Sequence, residues 1–179
     1  MRETSWKADL GRERRDIEKV KPWLMAKLRL DDVRDSTDED QRERDIDLHG
    51  LIGERRIPIE VKIRYKHYPD LLIETVSNTT TRTRGWIHRS RAELLVYVFL
   101  KKKSITEGYI YNLKELRDWW MKVGVYDNYP CKYGKTDNLY ETENRAVPLN
   151  RIPLDTLIYS PKYNLIDDYL RNIDALTVF

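Results

Sequence analysis

The feature that most constrains the fold is residues 45–64, where apolar and polar side chains alternate with a period of two. This alternation is typical of strands that bury one face. It is interrupted at Gly53-Glu54, where a turn is expected. The apolar positions on the two sides of this turn are Ile46, Leu48, Ile57, Ile59, Val61 and Ile63. The sequence therefore predicts an antiparallel hairpin that begins at Asp45.

The polar face of this hairpin carries the candidate chemistry. Glu60 and Lys62 are two residues apart in one strand, so their side chains leave the same face. Asp45, Asp47 and His49 share one face of the preceding strand. If the strands pair so that Ile46, Leu48, Ile59 and Val61 are buried together, two carboxylates and a lysine converge on the other face. Such a cluster costs stability unless a ligand binds it.

A divalent cation is the ligand that these residue types favour. Mg²⁺ binds one or two carboxylates, with waters and substrate phosphate oxygens in its other positions. We predict a Mg²⁺ site, with Mn²⁺ as a substitute, and the carbonyl of Val61 as a further ligand. A metal activates water and offsets negative charge in the transition state, while Lys62 can orient or deprotonate that water. This chemistry is that of phosphodiester hydrolysis.

Asp47, a gap of twelve residues and then Glu60-Val61-Lys62, on a hairpin after an amino-terminal helix, resemble the PD-(D/E)xK nuclease superfamily. That superfamily includes restriction endonucleases and archaeal-type Holliday junction resolvases. The resemblance covers about residues 9–100. It implies a restriction-endonuclease-like α/β fold, with a mixed central sheet flanked by helices. It also implies that Asp47 and Glu60 hold the metal and that Lys62 is the catalytic lysine.

Two positions in this pattern stay open in the sequence. No proline precedes the aspartate, and Asp45 competes with Asp47 for the same role. We assign the role to Asp47, because the family's aspartate usually lies between two hydrophobic residues, as Asp47 does here. Family members often add a glutamate from the first helix, and both Glu13 and Glu18 are candidates.

The other elements follow from periodicity and from capping residues. An amino-terminal helix is predicted, with a kink or a division at Pro22, from Leu10, Ile17, Val20, Leu24 and Leu28, which share one face. Residues 31–44 are predicted to be a loop with a short strand near Val33. Further strands are predicted at 71–76, 94–100 and 109–111, and helices at 86–93, 113–123 and 163–173. Asn112, with Glu115 three residues later, marks the start of the helix at 113.

Residues 79–91 contain four arginines and no acidic residue, and predict a nucleic-acid contact loop. Arg82, Arg84, Arg89 and Arg91 are the expected phosphate contacts, and Gly85 permits close approach of the backbone. The alternative is a solvated basic loop. The histidines at positions 49, 67 and 88 are expected at the surface.

Aromatic residues are concentrated near the carboxyl terminus. Trp119, Trp120 and the tyrosines at 126, 129, 133 and 140 are predicted to pack a core or a subunit interface, with a stacking platform for single strands as the alternative. In the closing helix Leu165, Tyr169 and Ile173 recur at steps of four. Both regions offer material for a homodimer, which a junction-cutting enzyme needs in order to reach two symmetric strands.

Composition excludes some classes of protein. Cys131 is the single cysteine, so no internal disulfide forms, and no apolar run approaches the roughly 20 residues of a membrane span. The net charge of +3 is too small to prove a nucleic-acid partner. We predict one cytoplasmic nuclease domain over residues 1–179, with a core at about 9–123 and an aromatic-rich extension at 124–179. Its expected function is Mg²⁺-dependent cleavage of DNA, structure-selective as in a Holliday junction resolvase. The alternative is a non-catalytic nucleic-acid-binding protein.

Overall fold

A computed structural model describes residues 3–122, 124–135 and 141–176, with side chains described at 15–122, 124–134 and 141–172. The chain is mixed α/β, with a six-stranded sheet, a four-stranded sheet and flanking helices. The helices are α1 (Glu3–Leu28), α2 (Asp38–Arg44), α3 (Trp86–Arg89), α4 (Leu113–Trp120) and α5 (Ile166–Leu176). The strands are β1 (Asp32–Asp35), β2 (Leu48–Ile52), β3 (Arg55–Arg64), β4 (Asp70–Asn78), β5 (Thr83–Arg84), β6 (Leu94–Lys101), β7 (Ser104–Asn112), β8 (Cys131–Lys135), β9 (Glu141–Pro148) and β10 (Leu157–Tyr159).

The six-stranded sheet has the order β1-β2-β3-β6-β7-β10 and contains the predicted hairpin. β2 and β3 are antiparallel, with Leu48 opposite Ile59 and Ile52 opposite Arg55. β3 and β6 are parallel, so the sheet is mixed, as predicted. Residues 94–100 of β6 are buried throughout, which confirms a central strand covered on both faces.

The four-stranded sheet has the order β5-β4-β9-β8. It contains the strand predicted at 71–76, together with three strands that were not predicted, β5, β8 and β9. Along β9 the buried positions include Thr142 and Asn144, which are polar. A polar residue at a buried position removes the apolar alternation on which strand prediction depends.

Two apolar cores lie on opposite faces of the six-stranded sheet. One contains the buried face of α1, namely Val20, Leu24 and Leu28, and the inward residues of β2 and β3. The other joins the two sheets through Leu71 and Ile73 of β4 and aromatic residues of β6, and it includes Trp120. Trp119, Trp120, Tyr126 and Tyr129 therefore pack a core, which is one of the roles predicted for the aromatic residues. Tyr133 is 62% exposed, and Tyr140 lies outside the described residues.

Two features of the amino-terminal part differ from the predictions. α1 is not divided at Pro22, because Val20, Leu24 and Leu28 are fully buried on both sides of it, and their packing offsets the hydrogen bond that proline removes. The loop predicted at 31–44 contains α2, which begins after Thr37, whose side chain accepts a hydrogen bond from the amide of Asp40. Among the residues that the structure describes, no helix is both long and apolar enough to cross a membrane.

Candidate active site

Asp47 lies immediately before β2 and is held against the middle of β3. Its amide donates a hydrogen bond to the carbonyl of Ile59 at 2.9 Å. Its carboxylate Oδ2 accepts one from the amide of Val61 at 2.8 Å. Because Val61 separates Glu60 from Lys62, these two contacts bring Asp47 to both predicted partners.

Glu60 and Lys62 form a close ion pair, with Lys62 Nζ 2.6 Å from Glu60 Oε1. Glu60 is only 2% exposed, and its Oε2 has no hydrogen-bond partner among the described residues. A buried oxygen without a hydrogen-bond partner lowers the stability of the fold. The pair therefore leaves one carboxylate oxygen in need of a donor or a cation.

Burial dominates the electrostatics of both carboxylates. It raises the pKa of Glu60 to about 8, with Lys62 opposing the rise and Asp47 adding to it. Burial also raises the pKa of Asp47, against the effect of Lys62 and of the Val61 amide. Both carboxyl groups thus hold their protons more tightly than ordinary acids do. This is expected where one lysine is the nearby cation for two carboxylates.

Lys62 is affected in the opposite sense. Burial by itself lowers the pKa of Lys62, but the carboxylates of Glu60 and Asp47 raise it above its usual range. The side chain as a whole is 35% exposed, while its ammonium group pairs with Glu60. A lysine with a raised pKa stays charged at neutral pH. Of the two roles predicted for Lys62, charge stabilisation and orientation of water fit this state better than removal of a proton.

The donor set fits Mg²⁺. Asp47 and Glu60 supply two carboxylates, the number that Mg²⁺ commonly takes from a protein, and the free Glu60 Oε2 is a vacant hard donor. No group of three or more His, Cys, Asp or Glu side chains suited to a metal occurs within the described residues. This donor set is correspondingly unlike that of a closed structural metal site, which surrounds its ion with four protein ligands.

A cavity of about 360 Å³ opens beside Asp47 between α1 and α2. It is lined by Arg15, Ile17, Glu18, Asp35, Ser36, Asp38, Gln41 and Asp47. Glu18, one of the two candidate glutamates of α1, therefore lies at the site, where it pairs with Lys21 at 2.5 Å. The side chain of Glu13 lies outside the described part of the chain.

Asp45, at the end of α2, lies within electrostatic reach of the site, since its charge raises the pKa of both Asp47 and Glu60, but its carboxylate is bound elsewhere. It caps that helix with a left-handed backbone, φ 48°, so the strand predicted from Asp45 begins only at Leu48. Its carboxylate accepts two hydrogen bonds from Arg89, at 2.5 and 2.7 Å. Ile46 consequently packs in the core between the sheets, and not with Leu48 as predicted. Asp47 is the aspartate that faces Glu60 and Lys62.

The four predicted arginines lie in different surroundings. Arg82 and Arg84 are exposed on the turn and strand that follow β4, and Arg91 is exposed after α3. Arg89 is half-buried and bound to Asp45. Gly85 serves the protein itself, because a Cβ there would lie 2.2 Å from the carbonyl oxygen of Glu74. The close approach that Gly85 permits is thus between α3 and β4. The expected approach of its backbone to a phosphate stays a prediction.

Glu74 of β4 is a site neighbour that the sequence analysis missed. Burial raises its pKa, and Lys62 opposes this rise, so Glu74 lies within electrostatic reach of Lys62. No motif marks Glu74, since it reaches the site from the second sheet. His49 was predicted at the surface, and this is wrong: it is buried, with its Nε2 3.2 Å from Asp40 Oδ2 of α2.

Comparison with protein-family models gives no match, and no curated protein matches the chain. The assignment of function therefore rests on the geometry of the site.

Proposed function

We propose that this protein is a Mg²⁺-dependent DNA endonuclease whose active site is formed by Asp47, Glu60 and Lys62. The observation that carries the proposal is the contact of the Asp47 carboxylate with the Val61 amide. It brings a half-buried carboxylate, a buried one and a lysine to one place, with one Glu60 oxygen unpartnered among the described residues. A group of this kind destabilises the fold unless it binds a cation.

In this proposal Asp47 and Glu60 hold the metal, together with the carbonyl of Val61. When bound, Mg²⁺ supplies activation of a water molecule and neutralisation of phosphate charge. The Val61 amide fixes the orientation of Asp47, so the carboxylate needs no rearrangement during the reaction. Lys62, kept charged by Glu60 and Asp47, stabilises the negative charge that develops on the phosphate and orients the attacking water.

DNA is proposed as the substrate because the chain exposes arginines next to the strand that carries Glu74. Arg82 and Arg84 lie on the turn and strand that follow β4, and Glu74 of β4 is within electrostatic reach of Lys62. Arg91 is exposed after α3. Guanidinium groups bind phosphate oxygens without regard to sequence. Arg89 acts differently: its pairing with Asp45 makes it a support for the loop.

Cleavage of linear, single-stranded, flap and four-way DNA in Mg²⁺ tests this function. Asp47→Asn is expected to abolish cleavage on every substrate while leaving the circular dichroism spectrum unchanged. Asp118→Asn is the matched control, since Asp118 is exposed on α4. This variant should cleave as the wild type does. Full activity of Asp47→Asn, or no Mg²⁺-dependent cleavage by the wild type on any substrate, would refute the proposal.

Selectivity for four-way junctions is a finer proposal that requires a homodimer. Of the residues expected at its interface, Trp120 and Tyr169 pack on the chain's own cores, and the hydroxyl of Tyr169 donates to Glu93 Oε1 at 2.7 Å. Tyr133 and Leu165, from the same two predicted regions, are 62% and 39% exposed and remain open to a partner. Light scattering of the protein with and without junction DNA decides this. One chain of 21.6 kDa per particle in both samples, after the mass of the DNA is subtracted, removes the junction-resolving role and leaves the nuclease.

A further inference from the structure

We propose that residues 65–68, which follow the catalytic strand, form a stacking subsite for unpaired nucleotides of the DNA strand that is cut. This inference rests on the proposed function. It starts from an exposed pair of aromatic rings: Tyr65 is 53% exposed and Tyr68 is 48% exposed, and residues 65–69 are all exposed. Both side chains are thus about half open to solvent at the end of a buried strand, and the free ring face that the subsite needs is assigned to Tyr68.

The charges around these rings suit a nucleic acid strand. Residues 61–69 contain two lysines, an arginine and a histidine, and no acid. Lys62, Arg64 and His67 are paired with Glu60, Asp70 and Glu107, so Lys66 is the basic residue here that has no acidic partner among the described residues. Arg64 lies with its guanidinium carbon 5.7 Å from the centre of the Tyr68 ring. Basic groups interleaved with aromatic rings are the pattern of surfaces that bind single strands, because the bases stack while the phosphates pair with the cations.

The segment is held in place before any ligand binds. The hydroxyl of Tyr65 donates to Asp16 Oδ2 of α1 at 2.7 Å. His67 pairs with Glu107 of β7, its Nε2 2.7 Å from Oε2, and its ring centre lies 4.5 Å from that of Phe99. Arg64 donates to the hydroxyl of Tyr97 at 2.9 Å. A surface anchored to three elements loses little entropy when it binds, which favours affinity.

The position of the segment relative to the active site sets what it can contact. Asp16, which holds Tyr65, lies between Arg15 and Ile17, and both of these line the cavity that contains Asp47. Tyr65 is three residues beyond Lys62, about 10 Å along an extended chain, and this odd offset places it on the face of β3 opposite Lys62, where α1 and Asp16 lie. The subsite would therefore lie on the α1 side of the strand, beside the residues of α1 that line the cavity with Asp47. Bases in the interior of a duplex offer no free face, and each duplex end offers one, so the preferred partner is an unpaired DNA segment.

Stacking can be measured without cleavage. We would titrate the protein in EDTA into single-stranded DNA that contains one 2-aminopurine, whose fluorescence falls when it stacks. The wild type should quench the probe and bind it more tightly than a duplex of equal length. Tyr68→Ala and Tyr65→Ala should each weaken binding by roughly 5- to 150-fold and reduce the quenching at saturation. Tyr68→Phe should behave as the wild type does, because the ring remains.

Tyr163→Ala is the matched control, since Tyr163 is 49% exposed, like Tyr68, but lies before α5. It should leave binding unchanged. If Tyr65→Ala fails to fold because it loses its contact with Asp16, Tyr68→Ala still decides the matter. Equal binding by Tyr68→Ala and the wild type overturns the subsite, as does equal loss in Tyr68→Phe and Tyr68→Ala. A protein that cleaves but does not quench disproves only the subsite, and one that quenches but never cleaves disproves only the nuclease.

Discussion

Replacement of Glu60 by glutamine should stabilise the metal-free protein, and more so as the pH rises. An isolated glutamate has a pKa of 4.5, whereas burial raises that of Glu60 to about 8. Below pH 4.5 the carboxyl is protonated in both the folded and the unfolded protein. Between these two values the unfolded chain releases the proton and the folded one keeps it, so the wild type loses stability with rising pH. Above about 8 the loss is complete.

The size of the effect follows from the two pKa values. At 1.36 kcal/mol for each pH unit, the limit is about 5 kcal/mol of unfolding free energy. Relaxation of the site reduces this limit. For a chain of this length 1 kcal/mol moves the melting temperature by roughly 2 to 4 °C, so even a third of the limit is measurable. The glutamine variant also loses the charged partner of Lys62, but that loss shifts its melting temperature without producing this dependence on pH.

Thermal melts in EDTA at pH 5, 6, 7, 8 and 9 test the prediction. The melting temperature of the Glu60→Gln protein, relative to that of the wild type, should rise by at least about 5 °C between pH 5 and pH 8. Above pH 8 the difference between the two melting temperatures should level off. Mg²⁺ at pH 8.5 should raise the melting temperature of the wild type and leave that of the variant unchanged. Glu54→Gln, at an exposed turn, is the control and should follow the wild type. A difference between Glu60→Gln and wild type that stays constant over this range would refute the reasoning from burial.

Three further changes separate binding, catalysis and support. Lys62→Ala should keep most of the Mg²⁺ affinity measured by calorimetry but reduce the cleavage rate by about 100-fold or more, because it removes charge stabilisation and no metal ligand. Asp45→Asn should lower the melting temperature, because it weakens the ion pair that Asp45 forms with Arg89 through two hydrogen bonds. Its Mg²⁺ affinity should stay within about twofold of the wild-type value. Loss of Mg²⁺ binding would instead make Asp45 the ligand. Arg82→Ala with Arg84→Ala should reduce the slope of log affinity against log salt for DNA by about two, and an unchanged slope would exclude phosphate contact.

The apolar pattern was sufficient to predict the elements that bury an apolar face. The hairpin, the buried strand at 94–100 and the helix start at Asn112 are all present, and the Asn112 side chain accepts from the amide of Glu115 as expected. The proximity of Glu60 and Lys62 followed directly, because two residues of one strand share a face whatever packs against it. Their nearness to Asp47 required the hairpin register, which the turn at Gly53-Glu54 and the paired apolar residues determine.

Two of the elements that were missed, β9 and α2, have polar residues among their inward positions. β9 buries Thr142 and Asn144, and α2 buries Asp40, which binds the buried His49. A helix or strand of this kind is stabilised by hydrogen bonds at its buried face, and those bonds depend on partners far away in the chain. Periodicity of hydrophobic residues carries no information about such partners. The Thr37 cap was a usable signal for α2, since a threonine with an acid three residues later resembles a capping box.

The choice between Asp45 and Asp47 shows how these polar contacts decide the site. The alternating pattern places both aspartates on one face of a strand, but α2 ends at Asp45 with a left-handed turn. Ser36 then binds the carbonyl of Asp47 at 3.0 Å, and Ser90 binds that of Asp45 at 2.9 Å. These bonds fix the backbone between α2 and β2 independently of its apolar residues. With its side chain bound to Arg89, Asp45 is unavailable, and Asp47 alone reaches the Val61 amide beside Glu60. The active-site geometry therefore depends on a helix that hydrophobic periodicity could not reveal.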